Sequence, residues 1–211
     1  MKKLILFDVD GVLFNSKKNM ENSWNQVMKK YSINKNFNEY KKFIGLPFNV
    51  ILQKLDIKKE RHEKIRKYYQ SNSIKYLNNI KPYPGVLKTI KSLKTKNYYL
   101  GIFTSKDKKR VLTILKKYDL KFSIILTPQE GVRGKPYPDQ ILKCLKVLKL
   151  PKKKAIFVGD MDCDRIAASK AKINFIFATY GFGEIKKRKL LRLNKFEKII
   201  KMVNKIWQLI Q

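Results

Sequence analysis

The chain has 211 residues, 44% of them hydrophobic, and 49 lysines and arginines stand against 16 acidic residues for a net charge of +33. That length and apolar content suffice for one α/β core plus a smaller insertion. No apolar run approaches the roughly 18–20 residues that span a bilayer, so no transmembrane segment is expected. The two cysteines, Cys144 and Cys163, give neither a disulfide framework nor zinc spacing.

Asp8 and Asp10 interrupt the N-terminal apolar run, which breaks any signal-peptide pattern, and a cytoplasmic location is expected. The positive charge raises nucleic acid or an anionic membrane as partners. Lysine, however, is spread along the whole chain together with abundant Asn and Ile, which reads as a coding bias. Nucleic acid is therefore not expected as a partner despite the charge. A positive field still draws phosphorylated metabolites, less so as salt rises.

Residues 2–8 read as a first, buried strand closed by the turn at Gly11. From about residue 14 to 81 no strand pattern is clear. Residues 22–31 carry Trp24, Val27, Met28 and Tyr31 at helical spacing, and residues 50–55 and 60–77 continue in helical style. Lys81-Pro82-Tyr83-Pro84-Gly85 punctuates the chain as a linker would. The expected organisation is a helical insertion over 15–81 within a core of 1–14 and 82–211. After the linker, helix and strand alternate. Strands are expected at 98–103, 122–126, 154–158 and 174–177, and helices at 86–96, 107–117, 138–150 and 164–171. Such alternation predicts an α/β fold, a mostly parallel sheet with helices on both faces and functional groups at the carboxyl ends of the strands.

Chemistry-bearing residues fall at those ends. Asp8 and Asp10 follow the first strand two residues apart. Two anions so close repel unless a cation or shared proton intervenes, which suits a nucleophile, a proton-transfer group and Mg²⁺. Thr104-Ser105 follows Phe103; a hydroxyl and free N–H groups there can bind a phosphoryl oxygen, or can cap the next helix. Gly131 to Asp139 forms a loop stiffened by two prolines, able to present Lys135 inward as a fixed ammonium that offsets Asp8 and a phosphate. Arg133 is a further candidate for substrate contact. Asp160 ends a strand, and Asp164, with Asp162 as competitor, follows in the turn; together they can meet a hard cation or simply enrich a helix start with acid.

Asp8-x-Asp10-Gly11, the strand-end Thr104, Lys135 and Gly159-Asp160-x-x-x-Asp164, in that order, resemble the haloacid dehalogenase-like hydrolase superfamily. Within it the chain is similar to the branch of phosphoglycolate phosphatase and β-phosphoglucomutase. The resemblance implies a Rossmann-like core and an all-helical cap over 15–81, with Phe43-Ile44-Gly45-Leu46-Pro47 similar to the substrate-facing cap loop. It implies that Asp8 is the nucleophile that becomes an aspartyl-phosphate and that Asp10 is the acid and base. Thr104 and Lys135 would hold phosphoryl oxygens, with Gly11, Ser105 and Gly45 also at the substrate. Asp8, the backbone carbonyl of Asp10, Asp160 and Asp164 would bind Mg²⁺. Superfamily dehalogenases, phosphonatases and transport ATPases lack the second Asp, so phosphate-ester cleavage is favoured.

The expected function is a Mg²⁺-dependent phosphatase for a small phosphorylated metabolite, phosphoglycolate-like, a sugar phosphate or a nucleotide monophosphate. The alternatives are a β-phosphoglucomutase-like sugar-phosphate mutase and a nucleic-acid- or membrane-binding protein on an inactive scaffold. Asn15, Met161 and Lys172 depart from the residues common at those places in the family; none removes a catalytic group.

His62, the single histidine, reads as a solvated helix position, and Cys144 as core. The tail places Ile199, Ile200, Val203, Ile206, Trp207 and Ile210 on one helical face, expected to pack on the core rather than on a membrane. The loop Tyr180-Gly181-Phe182-Gly183-Glu184 either contacts substrate or joins elements.

Overall fold

The computed structural model describes residues 2–187 and 189–209. Strand β1 (Lys3–Phe7) lies at the centre of a six-stranded sheet, flanked by β4 (Tyr98–Phe103) and β6 (Ala155–Gly159). Beyond them lie β5 (Ile124–Leu126) on one side and β7 (Asn174–Ala178) then β8 (Leu191–Leu193) on the other. Every neighbouring pair is parallel. The expected α/β architecture is thus observed.

Alternation along β1 divides the core in two. Ile5 and Phe7 face a cluster built with Val86, Ile90, Val111 and Ile114. These come from α5 (Val86–Lys94) and α6 (Lys108–Lys117). Leu4 and Leu6 face the opposite cluster, with Ile141 and Leu145 of α7 (Asp139–Val147) and Ala167, Ala168 and Ala171 of α8 (Asp162–Ala171). A strand buried on both faces needs apolar residues at every position, which is what Leu4-Ile5-Leu6-Phe7 supplies.

The tail forms α9 (Ile199–Gln208), whose Ile199, Val203, Ile206 and Trp207 are buried in the first cluster. Its apolar face therefore packs on the sheet; Ile210 lies outside the described residues. Strand β8 has no counterpart in the sequence reading: it is three residues long and half-exposed.

The chain leaves the core through β2 (Phe14–Asn15) and returns through β3 (Lys81–Pro82), and these two short strands pair antiparallel. Between them lie α1 (Lys17–Tyr31), α2 (Phe37–Lys41), α3 (Phe48–Lys54) and α4 (His62–Lys75). They have a hydrophobic cluster of their own, centred on Trp24, Val27, Tyr40, Leu52, Ile65 and Tyr69. Helices α1 and α4 are further tied by a reciprocal pair: Asn19 Nδ2 donates to the Ser73 carbonyl and Ser73 Oγ donates to Asn19 Oδ1, each at 2.8 Å. His62 is half-buried at the start of α4, its Nε2 2.8 Å from the Ile57 carbonyl.

Candidate active site

The carboxyl ends of β1, β4 and β6 lie side by side because those strands pair directly. Strand β1 stops at Phe7, and the Asp8 N–H donates to the Val158 carbonyl, fixing Asp8 beside the end of β6. Asp8 Oδ1 accepts from the Val9 N–H at 2.7 Å. Asp160, directly after β6, accepts on Oδ2 from the Phe182 N–H at 2.7 Å. Asp164 in α8 accepts on Oδ2 from the N–H groups of Asp160 and Met161 at 3.1 and 3.0 Å. One carboxylate oxygen from each of Asp8, Asp160 and Asp164 lies within 4.8 Å of the others.

Lys135 enters this group from the loop before α7. Its Nζ is 2.8 Å from Asp8 Oδ2 and 2.7 Å from Asp164 Oδ1. The side chain is fully buried between the rings of Phe103 and Phe157, 5.2 and 5.3 Å from Nζ. Burial works against the ammonium, but Asp164 and Asp8 outweigh it and hold the Lys135 pKa above the usual value. One ammonium does not balance three buried carboxylates. Burial pushes the Asp8 pKa up to about 7, with Asp164 and Asp10 adding to the rise and Lys135 opposing it. Burial, then Asp164 and Asp8, drives Asp160 well above the carboxylate range.

Asp10 is not one of these three carboxylates and has partners of its own. Its Oδ1 accepts from Ser16 Oγ at 2.5 Å and its Oδ2 pairs with Lys106 Nζ at 3.2 Å. Asp8, Asp10, Thr104, Ser105 and Gly45 nonetheless line one cavity beneath α3 and α4.

Gly11 has φ +81°, and a Cβ there would lie 2.0 Å from Asp160 Oδ2. Thr104 is buried, its N–H donating to the Leu126 carbonyl. The cap of α6 is Asp107, whose Oδ1 accepts from the Arg110 N–H, so Thr104 is free of that task. Ser105 Oγ donates to the Gly45 carbonyl at 2.6 Å, joining core to helical insertion.

Some candidates lie elsewhere. Asp162 is exposed and pairs with Arg165 at 2.6 Å, which leaves Asp164 as the acid facing the cluster. Arg133 is exposed, pairs with Asp139 at 2.9 Å and stacks over Tyr137. The loop after β7 supports the site: Tyr180 OH donates to the Val12 carbonyl, and Gly181 packs on Asp160, where a Cβ would come within 2.3 Å. Lys106, Arg110, Ser16 and Tyr69 were not singled out by the sequence. Arg110 had a legible signal, its i,i+3 spacing from Asp107; Lys106 had none among so many lysines.

The sequence matches the family model of haloacid dehalogenase-like hydrolases over residues 5–178. The chain belongs to the haloacid dehalogenase-like hydrolase family. It is 30% identical over 190 residues to a phosphoglycolate phosphatase of Aquifex aeolicus (strain VF5), covering 87% of each chain. It is also 30% identical over 174 residues to the pyrophosphatase PpaX of Bacillus thuringiensis (strain Al Hakam), covering 79% of this chain and 78% of the relative. Among solved structures, one described as a predicted phosphoglycolate phosphatase from Haemophilus somnus 129PT superposes with a TM-score of 0.84 at 28% identity. The match covers 96% of this chain and 98% of that one. The protein is thus a hydrolase whose relatives in the haloacid dehalogenase-like family are named as phosphatases.

The donor set also suits a divalent ion. Asp160 Oδ1 is buried and has no hydrogen-bond partner among the described residues, and it belongs to the three-carboxylate group. An orphaned carboxylate oxygen among other carboxylates is costly unless a cation meets it. All-oxygen donors favour a hard ion of the Mg²⁺ type.

Proposed function

We propose that the protein is a Mg²⁺-dependent phosphatase for a small phosphorylated metabolite, working through an aspartyl-phosphate on Asp8. The observation that carries this reading is the convergence of Asp8, Lys135, Asp160 and Asp164 in one buried cluster, with Asp10 at the same cavity.

In this reading an Asp8 carboxylate oxygen attacks phosphorus in line with the leaving oxygen. The bond to the leaving group breaks as Asp10 gives it a proton. Asp10 then takes a proton from water, which attacks the aspartyl-phosphate and releases inorganic phosphate. Ser16 and Lys106 hold the Asp10 carboxylate in place for both transfers. Lys135 and Thr104 hold phosphoryl oxygens, so that positioning and charge neutralisation lower the barrier. Asp8, the Asp10 carbonyl, Asp160 and Asp164 would hold Mg²⁺, which supplies positive charge to the phosphoryl oxygens and to Asp8. Residues 15–81 act as a cap over the cavity, with Gly45 seated on Ser105. The free thiols of Cys144 and Cys163 fit a reducing compartment, the cytoplasm.

The test is a phosphate-release screen with Mg²⁺ over phosphoglycolate-like acids, sugar phosphates and nucleotide monophosphates. Asp8→Asn serves as the blank. Turnover should fall by at least about 1,000-fold in that variant, the scale of losing a covalent nucleophile; wild-type-like turnover would refute the nucleophile assignment. Sugar-phosphate isomerisation without phosphate release would favour a mutase instead.

A further inference from the structure

The helical insertion lines the cavity of Asp8 and Asp10 with Met20, Ile44, Leu46, Phe48 and Ile51, with Gly45, and with Tyr69. All but Tyr69 lack a polar side chain. Among the described residues, the Tyr69 hydroxyl is thus the one polar side-chain group that the insertion brings to the cavity.

Tyr69 is 2% exposed, and its ring is held on several sides. It stacks with Tyr40, the centroids 5.9 Å apart, and packs on Phe48 at 4.7 Å. The Arg110 guanidinium lies 5.4 Å from the ring centroid. A phenol fixed in this way loses little freedom when a ligand arrives.

The hydroxyls of Tyr40 and Tyr69 are 3.2 Å apart and share one hydrogen bond, which Tyr40 donates. Two hydroxyls carry two protons, and one bond between them uses only one. The Tyr69 proton is left over, and among the described residues no acceptor meets it. Burial raises the Tyr69 pKa, with the Arg110 guanidinium and the Tyr40 hydroxyl opposing, so the phenol keeps its proton at neutral pH. A buried donor without an acceptor costs free energy, which an acceptor on a bound molecule recovers.

We propose that Tyr69 is a specificity-determining residue whose hydroxyl donates a hydrogen bond to the leaving group, at an oxygen other than the one that Asp10 protonates. This rests on the phosphatase reading above and adds to it the group by which the insertion selects a substrate. A leaving group that places an acceptor oxygen there satisfies the phenol. A bare alkyl group leaves it unpaired among apolar side chains and is rejected.

The experiment compares kcat/KM with Mg²⁺ for 2-phosphoglycolate, glucose 6-phosphate, AMP and ethyl phosphate, whose leaving group has no oxygen besides the ester oxygen. In the wild type the best of the first three should exceed ethyl phosphate. Tyr69→Phe removes one hydroxyl and keeps the ring, and it should lower that ratio by about fivefold or more, the scale of one hydrogen bond. Tyr40→Phe removes the same bond between the two tyrosines but no group that lines the cavity, so its ratio should match the wild type. A ratio that Tyr69→Phe leaves unchanged, or that Tyr40→Phe lowers equally, overturns the proposal and leaves the phosphatase reading intact. So does a wild type that hydrolyses ethyl phosphate as well as the other three, a test that stands even if a variant does not fold. An absence of hydrolysis with all four compounds overturns both.

Discussion

Lys135 Nζ sits 2.8 Å from Asp8 Oδ2 and simultaneously 2.7 Å from Asp164 Oδ1, with no part of its side chain exposed. Removing that ammonium leaves two buried carboxylates facing each other. Lys135→Met should therefore lose about 3–5 kcal/mol of stability in the presence of a chelator. Urea unfolding in EDTA measures this; a loss under about 1 kcal/mol would mean the pair contributes little.

Metal should stabilise the folded chain. With free Mg²⁺ at 100 times its dissociation constant, linkage gives about 2.7 kcal/mol. A melting-temperature rise on adding Mg²⁺ to EDTA-treated protein is expected, and Asp160→Asn should abolish most of it. An equal rise in that variant would argue against Asp160 as a ligand.

Gly11 and Gly131 both have positive φ, +81° and +69°, but only Gly11 faces an obstruction, with Asp160 Oδ2 at 2.0 Å from a built Cβ and nothing within 4 Å at Gly131. Alanine at either site pays backbone strain of about 1 kcal/mol. Gly11→Ala must also displace Asp160, so it should cost more stability and reduce turnover steeply, while Gly131→Ala keeps turnover. Denaturant unfolding and phosphate release on the two variants make the comparison.

Asp107 gives a pH dependence with a definite sign. Burial pulls its carboxyl pKa up, but the Arg110 guanidinium and N–H outweigh this and hold it below the usual range. A carboxyl depressed in the folded state adds stability above the unfolded value of about 3.9 and loses it as pH falls through the folded value. Asp107→Asn retains an oxygen for the α6 cap but loses the charge. It should be about 1 kcal/mol less stable than wild type at pH 7. Urea unfolding at pH 7, 5 and 3 should bring the two curves together at the acid end; a constant difference would remove the charge from the explanation.

Strands β1, β4 and β6 were legible because each is an apolar run buried in the sheet. Strand β8 was not, since Leu191 and Arg192 are exposed and no three-residue stretch carries a period. Helix α2 was also missed, although Asn36 and Glu39 spell a capping box that the structure forms. Asp8, Asp160 and Asp164 could be found because acids are rare in this chain and because Asp8 and Asp160 directly follow strands, with Asp164 four residues further on in the first turn of α8. Lys106 could not. It is chemically the same as Lys108 and Lys109, which are exposed, and only the helices folded over it make it different.

The antiparallel register Phe14↔Pro82 and Asn15↔Lys81 brings the outgoing and returning backbones to adjacent positions. Antiparallel partners stand only about 4.5–5.5 Å apart, a gap that a tight turn closes. Everything between them is therefore a cassette: it could be swapped for a longer, shorter or differently shaped module without altering a single pairing in the main sheet. If residues 15–81 act as the cap proposed above, such an exchange would alter what the cavity admits and leave the strand ends that carry Asp8 and Asp160 as they are.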